Sequence, residues 1–172
     1  MFSSSFLLIY IIFCNQSLLF RISDRDGYFG VGYKLQYKAQ PWGTAKLLCE
    51  KEHAKLAVPK TIQEFQLLQQ LVRGLRYNVV VGADDALLAW VGVSSIDDYR
   101  VWRNVDGNDI RNTAFHTWAG DNGVPFNSDS SEPHCAGVDA INHGLRTYWC
   151  NYRLPYICQI NVGQVTLIDT QA

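Results

Sequence analysis

Leu87-Leu88-Ala89-Trp90-Val91-Gly92-Val93 is an unbroken apolar run of strand length, and the fold is read outward from it. A short apolar run bounded by turn residues is a central strand of a sheet. Val79-Val80-Val81-Gly82-Ala83-Asp84-Asp85 before it reads as the connection leading in.

Upstream the period changes. Thr61 followed by Glu64 is a capping box, because the hydroxyl accepts from the Glu64 amide while that carboxylate reaches back. A helix therefore begins there, with an apolar stripe of Phe65, Leu68, Leu71, Val72 and Leu75. Gly74 lowers helix propensity and helps to end it. An earlier helix runs from Trp42 to His53, where Trp42, Ala45, Leu48 and Cys49 share a face and Lys46, Glu50 and Lys51 fall mainly outside it. Tyr28 to Tyr37, with glycines at 27, 30 and 32, reads as one or two short strands.

Downstream, Asp97 to Glu132 is rich in Asp, Asn, Gly and Ser, with Trp102, Phe115 and Trp118 spaced through it. A long irregular stretch inside a compact domain is usually functional. Strand-like segments return at Ala136 to Ile141, Thr147 to Cys150 and Pro155 to Ile160, and residues 161–172 form a tail with no evident role. The pattern is α+β.

The chain has 16 acidic and 15 basic residues, a net charge of −1, and the signs are interspersed. Neither a nucleic-acid groove nor a basic membrane patch is implied. Residues 6–14, Phe6-Leu7-Leu8-Ile9-Tyr10-Ile11-Ile12-Phe13-Cys14, have the length of a signal-peptide core, and no charge follows until Arg21. Residues 1–20 are expected to be a secretion signal, cleaved near Ser17 or Phe20. A signal anchor is the competing reading, but Asn15, Gln16 and Ser17 interrupt the stretch, which falls short of the roughly 20 apolar residues of a span. No stable membrane insertion is expected. The sequon Asn15-Gln16-Ser17 would leave with the signal. So would Cys14, leaving Cys49, Cys135, Cys150 and Cys158. An even set in a secreted domain is a disulfide framework, with three pairings open.

No nucleophile has a positioned base. Ser128, Ser130 and Ser131 lack a Gly-x-Ser-x-Gly setting, and the cysteines are committed to bridges, so an enzyme is not expected. His116 and His134, with Asp121 or Glu132, have no tight metal-ligand spacing. No metal site is expected.

Taken in order, Lys55-Leu56-Ala57-Val58, Trp90-Val91-Gly92-Val93, Trp102 with Asp106-Gly107, Phe115, Trp118 and Tyr156-Ile157-Cys158 resemble the C-type lectin-like domain, over roughly residues 28–160. The resemblance implies two helices with small antiparallel sheets, a long loop region and two disulfides, Cys49 with Cys158 and Cys135 with Cys150. In the loop-entropy model the short bridge contributes about 3 kcal/mol and the long one somewhat over ~4 kcal/mol.

Sugar-binding members of that family hold calcium through Glu-Pro-Asn or Gln-Pro-Asp, a carboxylate near the third cysteine, and Trp-Asn-Asp before the fourth. A hard cation wants about six to eight oxygens, and sugar hydroxyls complete its shell. Here the first motif aligns with Val124-Pro125-Phe126, the carboxylate with Pro133 beside Glu132, and Trp-Asn-Asp with Leu145-Arg146-Thr147. The usual calcium ligands are absent and a cation occupies ligand space, so no cofactor is expected. Asp121, Asn122, Asn127, Asp129 and Glu132 leave oxygens in the loop, read as a solvated polar segment or as a weak, displaced ion site.

Tyr28-Phe29, the Trp102 to Phe115 stretch and Glu132-Pro133-His134-Cys135-Ala136-Gly137 are similar to insect haemolymph lectins of the lipopolysaccharide-binding and immulectin type. That similarity implies a secreted glycan-recognition protein of innate immunity. Trp118, Phe126 and Tyr148 are the candidates to stack on sugar rings, with core packing as the alternative for each. Asp121, Asn122, Asn127, Glu132 and Arg146 are the candidates to bond hydroxyls or phosphates. For Arg146 the alternative is an ion pair with Glu132 or Asp139. A second class is a calcium-independent domain whose partner is a cell-surface or haemolymph protein. Exposed aromatics clustered on the loop face favour a protein partner, and a concave polar pocket favours glycan.

Overall fold

The computed structural model describes residues 8–14, 17–23, 30–120 and 131–162. Chain order gives strands β1 (Leu8–Cys14), β2 (Ser17–Ser23) and β3 (Gly30–Gln40), helix α1 (Trp42–Lys51), β4 (Lys55–Leu56), helix α2 (Ile62–Arg73), β5 (Leu88–Ser94), β6 (Arg103–Asn104), β7 (Cys135–Asp139), β8 (Arg146–Tyr148) and β9 (Leu154–Val162). The strands join into one sheet of order β1-β2-β3-β9-β5-β7-β8, with β4 alongside β9 and β6 alongside β5. Pairing is antiparallel except where β5 meets β9 at Trp90 and Tyr156.

The apolar run sits at the centre of this sheet for a physical reason: both of its faces are buried. Side chains alternate along a strand, and β5 sends Ala89, Val91 and Val93 into one core cluster and Leu88 and Trp90 into another. The first cluster is closed by α2 through Phe65, Leu68, Leu71 and Val72, and takes Tyr33, Leu35 and Tyr37 from β3. The second is closed by α1 through Trp42, Ala45 and Cys49, and takes Leu154, Tyr156 and Cys158 from β9. Two indoles lock the second layer. Trp42 Nε1 donates to the Val91 carbonyl at 2.8 Å and Trp90 Nε1 to the Gln40 carbonyl at 3.0 Å.

The capping box at Thr61 and Glu64 is formed in both directions, and the stripe Phe65, Leu68, Leu71, Val72, Leu75 is buried. Gly74 caps α2 in the right-handed helical region. The two bridges are Cys49–Cys158, which ties α1 to β9, and Cys135–Cys150. Two features differ from the expectation. The early segment is one long strand, because β3 pairs with β9 from Gly30 to Gln40, with an irregularity between Gln36 and Gln40. The sheets are continuous because β9 pairs with β3 and with β5. At the amino end, β1 pairs with β2, and β2 extends the sheet past β3; this pairing leaves the expectation of a leader over residues 1–20 untested. No helix among the described residues is long and apolar enough to cross a membrane.

Gly92 marks where β5 is crossed from both sides. Its amide donates to the Ala57 carbonyl, its carbonyl accepts from Val105, and a Cβ there would lie 2.7 Å from the Leu56 carbonyl oxygen and 2.9 Å from Val105 Cγ2. Backbone cannot yield as a flexible side chain does. Gly92→Ala should therefore lower stability by about 1–3 kcal/mol, read as an earlier denaturant midpoint with an unchanged m-value; an unchanged midpoint would show that the crossing strand gives way.

Candidate functional site

The long loop is anchored at both ends. On the way out, Trp118 bridges to Leu145 in parallel, with Ala119 N donating to the Leu145 carbonyl and Leu145 N to the Thr117 carbonyl, each at 2.9 Å. Gly144 permits this approach, since a Cβ there would lie 2.6 Å from the Trp118 carbonyl carbon. On the way back, the chain enters β7 at Cys135, which is bonded to Cys150 beyond β8. The two described ends of the loop are thus both tied to the β7–β8 region.

The expected ligand residues divide in three. Asp121, Asn122, Phe126 and Asn127 lie outside the described residues. Trp118 is partly buried against the α2-side core, its ring 4.6 Å from that of Trp102, so packing is its role there. Arg146, Tyr148 and Glu132 lie on or beside β7 and β8 and are partly exposed. Arg146 and Tyr148, two apart on a strand, share a face.

Arg146 makes the ion pair with Asp139, its Nη1 3.0 Å from Oδ2. Asp139 is nearly fully buried and fully engaged. Its Oδ1 accepts from the amides of Ile141 and Asn142 at 2.8 and 2.7 Å, and its Oδ2 also accepts from Asn142 Nδ2 at 2.6 Å. Burial pushes this carboxyl up, but the bonds from Asn142, Ile141 and Arg146 outweigh it and hold its pKa below the usual carboxylate range. Arg146 Nε is buried without a hydrogen-bond partner among the described residues. This guanidinium is fixed by β7 and is not a mobile arm.

Tyr148 stands in an aromatic cluster that sequence reasoning did not assemble. Its ring is edge-on to Trp90, Trp149 and Tyr152 at 6.3, 5.8 and 5.1 Å, and Trp149 lies 6.0 Å from Tyr152. Trp149 and Tyr152 are 47% and 39% exposed, which for rings of this size is a substantial apolar surface. The indole of Trp149 donates to the Ser131 carbonyl at 3.3 Å, joining the cluster to the returning end of the loop. The neighbourhood is acidic: Arg153 N donates to Asp84 Oδ2 at 2.7 Å, and burial, then the Asp85 charge, push the Tyr148 phenol above its ordinary value. That phenol stays protonated and remains a donor. The signal was present in Tyr148-Trp149-Cys150-Asn151-Tyr152, but only the turn after β8 brings the three rings together.

The Lectin C-type domain model matches residues 38–160. The chain belongs to the C-type lectin domain family. Members of that family are non-enzymatic binding domains, and carbohydrate binding is the family's characteristic activity. Among relatives, the chain is similar to a hemolymph lipopolysaccharide-binding protein of Periplaneta americana, 23% identical over 130 residues, covering 76% of this chain and 49% of that protein. It is also similar to the CD209 antigen of Symphalangus syndactylus, 25% identical over 140 residues, covering 81% and 32%. The chain thus spans about half or less of the length of these curated relatives. In fold it matches the mouse scavenger receptor C-type lectin carbohydrate-recognition domain with a TM-score of 0.57 at 17% identity, covering 76% of this chain and 87% of that one.

The resemblance places the family's usual calcium-binding oxygens where this chain carries Arg146 and Thr147 on β8 and Pro133 before β7. Arg146 brings a guanidinium held to Asp139, and Leu145 is buried in the core. The described part of the site does not fit a hard cation. No metal-binding group of three or more His, Cys, Asp or Glu occurs among the described residues.

Asp139→Ala removes the acceptor of two backbone amides and leaves Arg146 half-buried and unpaired, a loss on the order of 3 kcal/mol. The depressed pKa of Asp139 means that its contribution is present above the unfolded carboxylate pKa near ~3.9 and fades as pH falls through the lower folded value. Thermal melts between pH 7 and pH 2 should show Asp139→Asn with a shallower acid decline than the parent; parallel curves would remove this carboxylate from the acid response.

Proposed function

We propose that this chain is a secreted C-type lectin domain that binds microbial surface glycans, lipopolysaccharide among them, in innate immunity, without the usual calcium-dependent sugar site. The carrying observation is the Arg146–Asp139 pair standing where the family's ion-holding strand supplies oxygens. A guanidinium held there by Asp139 takes the place of metal-binding oxygens, and its remaining N–H donors suit anionic groups. The lipopolysaccharide-binding relative supports this choice of ligand. Sugar contact is assigned to the exposed Trp149 and Tyr152 with the Tyr148 hydroxyl beside them, and to the loop residues Asp121, Asn122, Phe126 and Asn127 with Glu132. Residues 1–20 are assigned to a leader removed before the domain acts.

A second reading has an observation of its own. The clustered, exposed Trp149 and Tyr152 are the kind of aromatic surface that anchors protein interfaces. On that reading the domain is a calcium-independent binder of a cell-surface or haemolymph protein that modulates immunity.

Capture of the mature domain on lipopolysaccharide, peptidoglycan and mannan, in calcium and then in chelator, separates the two. Lipopolysaccharide binding is expected to survive chelation and to fall about tenfold, or ~1.4 kcal/mol, in Trp149→Ala. Mannan binding lost in chelator would overturn the proposed site, and binding to no glycan would shift the assignment to a protein partner. N-terminal sequencing of the secreted product should give a start near Ser17 or Phe20; an N-terminus at Met1 would refute the leader.

A further inference from the structure

Beyond β5 the chain turns through Ser95 to Tyr99 and faces the start of β7 across an open cleft of about 610 Å³, lined by Ile96, Asp97, Asp98, Tyr99, His134 and Cys150. That volume falls within the range of roughly 300–1,000 Å³ typical of small-ligand clefts. The walls are positioned by local bonds. Ser95 N donates to the His134 carbonyl at 2.8 Å, and the imidazole Nδ1 lies 3.0 Å from Ser95 Oγ, so loop and strand are joined by both backbone and side chain. Asp98 Oδ1 accepts from Arg100 N at 3.0 Å and its carbonyl from Val101 N at 2.9 Å, which folds the turn and positions the Asp98 carboxylate.

Arg100, the cation next in sequence, lies over the Tyr99 ring at 5.2 Å and donates to the Tyr99 hydroxyl at 3.1 Å. Asp97 and Asp98 enter no ion pair among the described residues. The cleft therefore combines an exposed isoleucine, a tyrosine ring and a disulfide, which suit the apolar face of a pyranose, with two carboxylates that accept from hydroxyls and attract an ammonium group. A phosphate or uronate would meet net negative charge and be repelled.

We propose that this cleft binds saccharides bearing a protonated amine, hexosamines above all, as a second site independent of the surface around Trp149. Its carboxylates contrast with the Arg146 guanidinium, which is ion-paired with Asp139. Two sites on one domain let a single copy contact two glycans at once, without oligomerisation.

The test is a calorimetric titration of the mature domain with a glucosamine oligomer and with its fully N-acetylated counterpart. Amide chemical shifts of residues 95–99 and 134 are followed in parallel. The free-amine oligomer should bind at least about tenfold more tightly, and raised salt should weaken it, as expected for a charge pair near the surface. Asp97→Asn with Asp98→Asn should cost about tenfold or more while leaving lipopolysaccharide capture unchanged, because the carboxamide that replaces the second carboxylate retains an oxygen for the turn. Trp149→Ala should do the reverse. Equal binding of the acetylated oligomer, full affinity in the doubly substituted variant, or shifts confined to residues outside the cleft would each overturn the assignment. Loss of both activities in Trp149→Ala would overturn the independence of the two sites.

Discussion

Because β5 is buried on both faces, the chain has to supply two separate covers, and most of the architecture follows from that requirement. The α2 layer receives the odd-numbered side chains Ala89, Val91 and Val93, while the α1 layer receives Leu88 and Trp90. A strand so placed has no solvent-facing side on which a polar residue would be tolerated, and its sequence shows none before Ser94. Trp90 and Trp42 fill the α1 layer, and both indole donors find backbone carbonyls, which removes the cost of burying them.

The disulfides divide the labour. Cys49–Cys158 closes a long loop and joins α1 to β9 inside the same layer as Trp90, so it reinforces the core. Cys135–Cys150 spans 15 residues and fixes β7 and β8 just where the long loop returns. With Gly144 admitting the Trp118–Ala119 backbone at the other end, the loop is held at both exits by groups that belong to the core. A surface anchored this way can vary in chemistry without disturbing the fold beneath it.

That variation is visible on β8. The strand geometry that positions oxygen donors in calcium-binding relatives here presents a guanidinium, and the protein compensates for it internally through Asp139 instead of through solvent or an ion. Around the same disulfide lie two further chemistries. The rings of Tyr148, Trp149 and Tyr152 gather beside it, and Asp97 and Asp98 line a cleft that Cys150 borders. Each differs in chemistry from a cage of metal-binding oxygens.

Much of this was legible in the residues themselves. The capping box, the α2 stripe, the central strand and the even cysteine set are local or compositional signals, and local physics is enough to read them. The resemblance supplied the bridge pattern, because spacing alone leaves three pairings open. What only the tertiary structure decided is long-range. Between the two partners open to Arg146, its ion pair is the one with Asp139, set by the β7–β8 register. Trp118 went to the core, because Trp102 and Leu145 approach it from distant parts of the chain. Trp149 and Tyr152 were passed over because adjacent aromatics in sequence do not reveal which of them the fold leaves exposed. Sequence thus determined which elements form and which faces they bury, whereas proximity between segments far apart in the chain decided which side chains the surface presents.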